Sequence, residues 1–258
     1  MRTLNAITLR VYEAMKQKIL LNALPSGAKV NQAEMANLLE TSRTPVVYAL
    51  HKLESEGLVD NVPNSGFYVH RIHVKELLDM FILREAIEGI VIEDIAVAIT
   101  TEQIAGLREC FRRFRSAAVP IDEREYRIAD IRFHSLLLES CGNDLVKKIN
   151  DNFQVLNRTY TAGLLRPPEI TIGEHESIVD ALAQHDAKTA RERMSRHLAT
   201  TRNTLQGVVN HLRSVGIDPN AMPLEDIRFG GKTPVGSILY STEIISPADE
   251  RATGNLKE

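Results

Sequence analysis

The sequence predicts a mostly helical protein made of a small N-terminal α/β module and a longer antiparallel helical bundle. Residues 31–70 have the pattern of two short helices followed by two strands, whereas almost no strand signal follows residue 74. Aromatic residues make up 5% of the chain and Trp is absent, so aliphatic side chains must form most helix contacts. The 258 residues suffice for two ordinary domains.

The N-terminal module begins with an amphipathic helix over residues 8–22, where apolar side chains keep near-helical spacing. Asn31 suits the N-cap of a short second helix because its side chain can accept hydrogen bonds from the first turn. After a turn at residues 40–41, Ser42 or Thr44 can cap a third helix whose first turn accommodates a proline. These signals predict two helices joined by a tight turn.

The third helix has two chemically distinct faces. Its inward face is apolar and comprises Val46, Ala49, Leu50 and Leu53. Its opposite face would meet DNA and comprises Thr44, Tyr48, His51 and Ser55, with Arg43 and Lys52 at the flanks. Strands at residues 58–62 and 67–71 follow, around a turn in which Gly66 can take a positive φ. The module is therefore predicted to be a winged helix-turn-helix, with its third helix in a DNA groove.

Short motifs in this module are fairly specific. The motifs are Ser42-Arg43-Thr44-Pro45, then Leu53-Glu54-x-x-Gly57-Leu58-Val59, then Gly66-Phe67-x-Val69. Over about residues 8–71 they resemble the GntR superfamily of bacterial transcription regulators. The resemblance implies that Arg43 and Thr44 contact bases or phosphate, and that Gly66 lets the wing tip approach the minor groove. A winged helix used for protein contact is the alternative, because a fold does not fix a function.

One position departs from the family pattern. Many GntR members have Arg-Glu where this chain has Val47 and Tyr48, so an arginine that would bind guanine or phosphate is missing. Either the operator differs from the usual family half-site, or His51 and Tyr48 take over part of the contact. The loss of a good bidentate contact removes roughly 1–3 kcal/mol of base discrimination.

The bundle is predicted from six helical blocks separated by turn signals. The blocks are residues 74–99, 101–118, 122–140, 143–163, 170–185 and 187–213. We therefore expect three regions: a DNA-binding domain at residues 1–72, an all-helical effector-binding and dimerisation domain at 73–214, and a loosely ordered tail at 215–258. The short connection at residues 71–74 would carry movement of the first bundle helix to the DNA-binding module.

Four side chains with metal-ligating chemistry fall on inward stripes of the bundle. Asp130 and His134 lie one turn apart on the same helix face, and His175 and His197 lie on the inward stripes of two later helices. A buried carboxylate and buried imidazoles are costly to desolvate unless they share a partner. The sequence therefore predicts a divalent-metal site formed by three imidazoles and one carboxylate.

Arg84 lies on the inward stripe of the first bundle helix, with Glu88 one turn later. One interpretation is an internal Arg84–Glu88 salt bridge. The other is a guanidinium clamp for a carboxylate effector whose oxygens complete the coordination of the metal. Both can hold, with Glu88 orienting Arg84. Asn152 is a further candidate for the lining of the same cavity.

The bundle also resembles a known effector domain. The matching pieces are Arg84-x-x-x-Glu88, Asp130-x-x-Phe133-His134, His175-x-x-Ile178 and His197. Over roughly residues 74–213 they resemble the FCD domain, the all-helical effector domain of the FadR-like branch of GntR regulators. The resemblance implies that Asp130, His134, His175 and His197 ligate a divalent cation, with zinc or nickel the best candidates.

Composition narrows the function further. The net charge of −3 excludes a uniformly basic coating protein, although a local DNA-reading face needs only a few positive groups. Two cysteines do not make a disulfide framework. The N-terminus has no uninterrupted apolar segment, and acidic side chains interrupt the apolar run at residues 87–99. We therefore expect no signal peptide, no membrane span and a cytoplasmic location.

Together these features predict a ligand-responsive transcription regulator without catalytic residues. It would be a homodimer on double-stranded operator DNA that senses a small organic acid over the metal, and the resemblance implies a repressor released by the acid. One alternative is a metal-dependent hydrolase with an appended winged-helix module, since such a metal site with open positions can activate water. Another is a regulator whose bundle only dimerises around a structural metal.

Overall fold

The computed structural model describes residues 6–115, 120–153, 164–228 and 243–244, with the backbone alone for 151–153, 228 and 243–244. The chain divides into a smaller compact unit that contains residues 1–71 and a larger one that contains residues 72–150 and 159–258. The described residues are mostly helical, with short strand pairs, as the sequence predicts.

The smaller unit has the predicted order of elements. Its helices and strands are α1 (Ala6–Leu20), α2 (Gln32–Leu38), α3 (Arg43–Ser55), β1 (Val59–Val62) and β2 (Gly66–Val69). The strands pair antiparallel, with Val59 opposite Val69 and Val62 opposite Gly66. At the start of α2, the Asn31 side chain accepts hydrogen bonds from the Ala33 and Glu34 amides, as its N-cap position predicts.

The core of this unit lies between α1 and α3. Each of the following side chains has no measurable exposure: Val11, Met15, Ile19, Val46, Leu50 and Leu53. Complete burial of one such side chain contributes about 1.5–3 kcal/mol. The inward face predicted for α3 is therefore the one that packs against α1, and the packing leaves the opposite face of α3 toward solvent.

A polar cluster ties α1 to the end of α3. The Tyr12 hydroxyl donates to Glu56 Oε1 at 2.6 Å, and Lys16 Nζ donates to Glu56 Oε2 at 2.9 Å. Burial and the adjacent Glu56 carboxylate raise the pKa of Tyr12 to about 12. The cluster therefore keeps a neutral phenol next to an ion pair and restrains the C-terminal turn of α3.

The larger unit is helical over most of its described length. Its helices are α4 (Val74–Ala98), α5 (Thr101–Phe111), α6 (Glu123–Ser140), α7 (Asp144–Phe153), α8 (Pro168–Ala183) and α9 (Ala187–Ser214). A single 3₁₀ turn, Arg112–Phe114, follows α5, so this helix ends earlier than the predicted block at 101–118. Part of the predicted block at 143–163 lies outside the described residues.

The two longest helices, α4 and α9, pack against each other, and α8 also packs on α9. A close approach occurs at Gly89, where an added Cβ would lie 2.8 Å from Ser195 Oγ. No helix in the described ranges combines the length and the apolar character needed to cross a lipid bilayer.

Helix α4 is apolar nearly all round, but the other described residues bury only one of its faces. One face is buried and includes Leu77, Leu78, Arg84, Glu88 and Ile92. The other face exposes large apolar side chains, namely Ile82, Leu83, Ile90 and Val97, at 46%, 54%, 57% and 74%. Partner helices within the chain cover only one side of α4, so the apolar pattern on its other side has no neighbour within the described part of the chain.

The described start of the tail, residues 215–228, contains an ordered segment within the region expected to be loosely ordered. The Leu224 amide donates to Ile72 O at 2.8 Å, and the Val74 amide donates to Met222 O at 3.1 Å. Leu224 is 2% exposed and Ile227 is fully buried. The segment around residues 219–227 thus pairs with the start of α4 through both backbone hydrogen bonds and apolar burial. The strand Ile227–Arg228 (β3) pairs antiparallel with Glu243–Ile244 (β4).

Candidate metal centre and DNA-binding surface

The candidate DNA-binding surface is the outward face of α3. Arg43 and Thr44 are exposed in its first turn, and Tyr48 is 57% exposed one turn later. Ser42 occupies the N-cap position but makes no side-chain capping hydrogen bond. The structure therefore brings Arg43, Thr44 and Tyr48 onto one solvent-facing surface.

His51 and Lys52 have partners within the same unit. His51 is exposed, its Nδ1 lies 2.9 Å from Glu54 Oε2, and its ring contacts Phe67 edge-to-face at 5.0 Å. Lys52 Nζ lies 3.7 Å from the centroid of the Tyr12 ring. The Lys52 ammonium therefore contacts α1, whereas His51 stays on the solvent-facing side of α3.

The wing turn has the backbone that the sequence predicts. Gly66 has φ +104° and Asn64 has φ +62°, conformations that glycine and asparagine tolerate better than other residues. The hydroxyls of Ser65 and Tyr68 hydrogen-bond at 2.6 Å across the turn. Lys29 Nζ lies 5.8 Å from the centroid of the Tyr68 ring, so a positive charge stands beside the wing.

Asp130, His134, His175 and His197 come together in the bundle, and we refer to these four residues as the His/Asp cluster. One ligating atom from each lies within 4.8 Å of all the others. His175 Nε2 is 3.4 Å from both His134 Nε2 and Asp130 Oδ1. The three imidazoles are buried, whereas the Asp130 side chain is 24% exposed. The cluster is therefore most open to solvent beside Asp130.

Three helices position the cluster. Asp130 and His134 are one turn apart on α6, while α8 carries His175 and α9 carries His197. Phe111, at the end of α5, stacks on the His175 ring at 4.6 Å with an interplanar angle of 5°. These apolar surroundings lower the local dielectric and strengthen electrostatic interactions among the polar groups.

Glu88 on α4 orients His134. Its Oε2 lies 2.5 Å from His134 Nδ1, and its Oε1 accepts a hydrogen bond from Arg84 Nε at 2.7 Å. Burial alone would raise the pKa of Glu88, but Arg84 and His134 outweigh burial and lower the pKa to about 2. An ionised carboxylate at Nδ1 favours the tautomer with the proton on that nitrogen. His134 Nε2 then has a lone pair available for a metal.

Glu174 has the corresponding position beside His197. Its Oε2 lies 2.6 Å from His197 Nδ1, and both of its oxygens accept hydrogen bonds from the Nη groups of Arg166. Burial would raise the pKa of Glu174, but the hydrogen bonds from His197 and Arg166 outweigh it and lower the pKa to about 2. Neither Glu174 nor Arg166 is among the site residues that the sequence predicts. Glu174 is adjacent to His175, but its partner lies on another helix, and spacing along the chain gives no signal for that contact.

The chemistry of the cluster fits a divalent cation. Burial lowers the pKa of His175 well below its ordinary value, and the nearby His197 and His134 add to this effect. Burial also lowers the pKa of His197, although its hydrogen bond to Glu174 acts in the opposite direction. Neutral imidazoles and carboxylates are the forms that bind metals. Converging lone pairs repel one another unless a cation lies between them, and this donor set suits zinc or nickel.

Arg84 lies next to the cluster and is 5% exposed. The Arg84–Glu88 salt bridge expected as one interpretation is present, and it uses only Nε of the guanidinium. Among the residues that the structure describes, neither Nη group of Arg84 has a hydrogen-bond partner. Asn152 falls in the last turn of α7, and its side chain lies outside the described residues.

Two family models match the two parts of the chain. Residues 7–69 match the bacterial regulatory proteins of the gntR family, and residues 79–200 match the FCD domain. The chain belongs to the GntR family of transcription regulators. Its helical unit is an FCD domain. Members of this family are transcription regulators and not enzymes, so the interpretation as a metal-dependent hydrolase is wrong.

Individual relatives agree with this assignment. The chain is 28% identical over 204 residues to an uncharacterized HTH-type transcriptional regulator of Streptomyces ambofaciens, covering 78% of this chain and 86% of the relative. It is 26% identical over 192 residues to the HTH-type transcriptional repressor RspR of Escherichia coli, covering 73% and 84%. The solved structure of E. coli McbR/YncC has a TM-score of 0.63 at 19% identity, covering 80% and 100%. At that identity the structural likeness shows the fold alone.

Proposed function

We propose that this GntR-family regulator is a homodimeric repressor that acts in the cytoplasm and senses a small carboxylate over a divalent metal in its FCD domain. The observation that carries the proposal is the His/Asp cluster, in which one ligating atom from each of three imidazoles and one carboxylate lies within 4.8 Å of the others. The similarity to RspR, which is called a transcriptional repressor, supports the direction of regulation.

The metal would be held by Asp130, His134, His175 and His197. A divalent ion bound there supplies a Lewis-acid centre whose remaining coordination positions can take carboxylate oxygens. Glu88 holds one of the imidazoles, and its own orientation depends on Arg84. The cluster is most open beside Asp130, which makes that side the entry for a small ligand.

Arg84 would bind the carboxylate of the effector through its guanidinium group. It is buried, positively charged and salt-bridged through Nε only, so its Nη groups can donate to a carboxylate. A buried guanidinium with unused donors is costly to desolvate, which favours a ligand that accepts those hydrogen bonds. Arg84 can therefore hold Glu88 and an effector at once, which joins the two interpretations of this residue.

The exposed apolar face of α4 supports the homodimer. Ile82, Leu83, Ile90 and Val97 each expose at least 46% of their area on the side of α4 opposite the bundle core. Apolar surface of this kind is stabilised when a second copy covers it. A two-fold dimer also provides two winged modules, which is the arrangement that recognises a palindromic operator.

The remaining alternative is a regulator whose bundle only dimerises around a structural metal. Both versions predict a bound ion and operator binding, but only the sensing version predicts that an acid changes operator affinity. The effector can shift the equilibrium between DNA-binding and released states only by its different affinity for the two. Arg84 separates the versions because only the sensing version assigns a hydrogen-bond partner to its Nη groups.

The test is operator binding by fluorescence anisotropy, with an operator selected from random duplexes and a panel of small mono-, di- and tricarboxylic acids. We expect at least one acid to weaken operator binding by about tenfold or more, equivalent to about 1.4 kcal/mol. The response should disappear in Arg84→Gln, which should still bind the operator; the assay is run at saturating metal because Arg84 also orients Glu88. A response that survives in Arg84→Gln contradicts the clamp. Unfolding on metal removal, with no response to any acid, favours the purely structural metal.

A further inference from the structure

The two arginines beside the His/Asp cluster are engaged in different ways. Arg84 contacts its glutamate through Nε alone, whereas Arg166 donates from both Nη groups to the two oxygens of Glu174. Arg166 Nη1 also lies 3.4 Å from the backbone carbonyl of His197. Arg166 is 5% exposed, so this arrangement is held inside the bundle.

Bidentate pairing fixes the plane of a carboxylate. A planar guanidinium that donates from two nitrogens to two oxygens leaves the carboxylate one preferred orientation, which a lysine or a single hydrogen bond cannot impose. In this orientation Glu174 Oε2 lies 2.6 Å from His197 Nδ1. Arg166 also contacts the backbone of the residue whose ring Glu174 holds. The group therefore restrains both the ring and the backbone of His197.

We propose that Glu174, clamped by Arg166, is a positioning residue that keeps His197 in the tautomer and orientation required to bind the metal. This inference rests on the proposed metal centre and adds residues that do not contact the ion. Glu174 accepts a hydrogen bond from Nδ1–H of His197, so Nε2 is left to ligate and becomes more basic. Arg166 precedes α8 and His197 lies on α9, so the clamp joins two separate parts of the chain at the metal.

The first test compares two isosteric substitutions on the same helix. Glu174→Gln removes the negative charge of the group that accepts the hydrogen bond from His197 Nδ1. Glu176→Gln is the matched control, since Glu176 is 40% exposed and pairs with Arg115 at 2.8 Å. Affinity for Zn²⁺ is measured by competition with a chromophoric chelator on the full-length protein. We expect Glu174→Gln to lower the affinity by about 10- to 100-fold, and Glu176→Gln to leave it unchanged.

The second test asks whether Glu174 acts through His197. If it does, Glu174→Gln should lower Zn²⁺ affinity by only about twofold or less in a His197→Ala background, because the ligand that Glu174 positions is already missing. A structural role elsewhere would lower the affinity equally in both backgrounds. Arg166→Gln gives an independent measurement if Glu174→Gln folds poorly, and it should also lower Zn²⁺ affinity without removing any proposed ligand.

Three outcomes overturn the inference. Equal Zn²⁺ affinity in Glu174→Gln and Glu176→Gln would mean that Glu174 has no positioning role, while the metal centre itself would stand. Equal losses with and without His197 would mean that Glu174 acts on the fold and not on the ligand. Failure of the unsubstituted protein to bind Zn²⁺ or Ni²⁺ would overturn both this inference and the metal centre.

Discussion

The two buried arginines beside the His/Asp cluster contact their glutamates through different nitrogens. Arg166 donates from both Nη groups to Glu174, and one of them also reaches the backbone carbonyl of His197. Arg84 donates from Nε to Glu88, and no described residue accepts a hydrogen bond from its Nη groups. In the proposed function those groups bind the effector, which puts ligand binding on the α4 side of the cluster and the positioning of His197 on the α8–α9 side.

At the DNA surface, Arg43 is the residue that we expect to matter most. Its side chain is exposed at the start of α3, whereas Lys52 is placed over Tyr12. Arg43→Ala should weaken operator binding by roughly 5- to 150-fold, corresponding to about 1–3 kcal/mol, without affecting the dimer. Anisotropy and sedimentation measure the two properties. Arg112→Ala, which removes a 73%-exposed arginine from the FCD domain, is the control. Unchanged DNA affinity in Arg43→Ala would remove α3 from the interface.

The four residues of the His/Asp cluster were predictable from the sequence because each lies on the inward face of a helix. The four-residue spacing of Asp130 and His134, and the inward stripes of His175 and His197, sufficed to select the four cluster residues that the fold brings together. Glu174 and Arg166 were not predictable, because their contact with His197 depends on how α8 approaches α9. The cation–π contact of Lys52 with Tyr12 was not predictable either, because it depends on how α1 packs on α3.

Helix α4 has different surroundings on its two faces. Its inner face carries Glu88 to the cluster and packs on α9, with Gly89 allowing the close approach to Ser195. Its outer face is apolar and exposed. The period of hydrophobic residues predicted the helix correctly, but it could not distinguish burial by the same chain from burial by a second copy. That distinction depends on which neighbours the fold supplies.

The outer face of α4 gives a direct test of the dimer. Leu83→Glu and Ile90→Glu place charges on side chains that are 54% and 57% exposed, so the folded chain should tolerate them. Burying those charges in an interface is costly, and both variants should sediment as monomers at concentrations where the unsubstituted protein is a dimer. Leu145→Glu on α7 is the control, at 68% exposure. Dimers in all three variants would place the interface elsewhere.

At the scale of the whole molecule, the segment around residues 219–227 links the end of α9 to the start of α4. Its hydrogen bonds to Ile72, Val74 and Lys75 fix the first residues after the DNA-binding module. The segment therefore connects α9, the helix that bears His197, with residues 72–75 at the start of the larger unit. Composition predicted a loose tail because Gly, Pro and Ser are frequent there. The buried Leu224 and Ile227, which order part of it, are too few to produce a periodic signal.

The proposed sensing function depends on a metal in the FCD domain, and elemental analysis of the purified protein measures that metal most directly. The unsubstituted protein, supplied with zinc and nickel, should hold about one divalent ion per chain, because the cluster offers one set of four ligands. The Asp130→Ala/His134→Ala double variant should hold almost none, while keeping its helical content by circular dichroism. An unsubstituted protein with no ion, or a double variant with as much ion as the unsubstituted protein, would contradict the account.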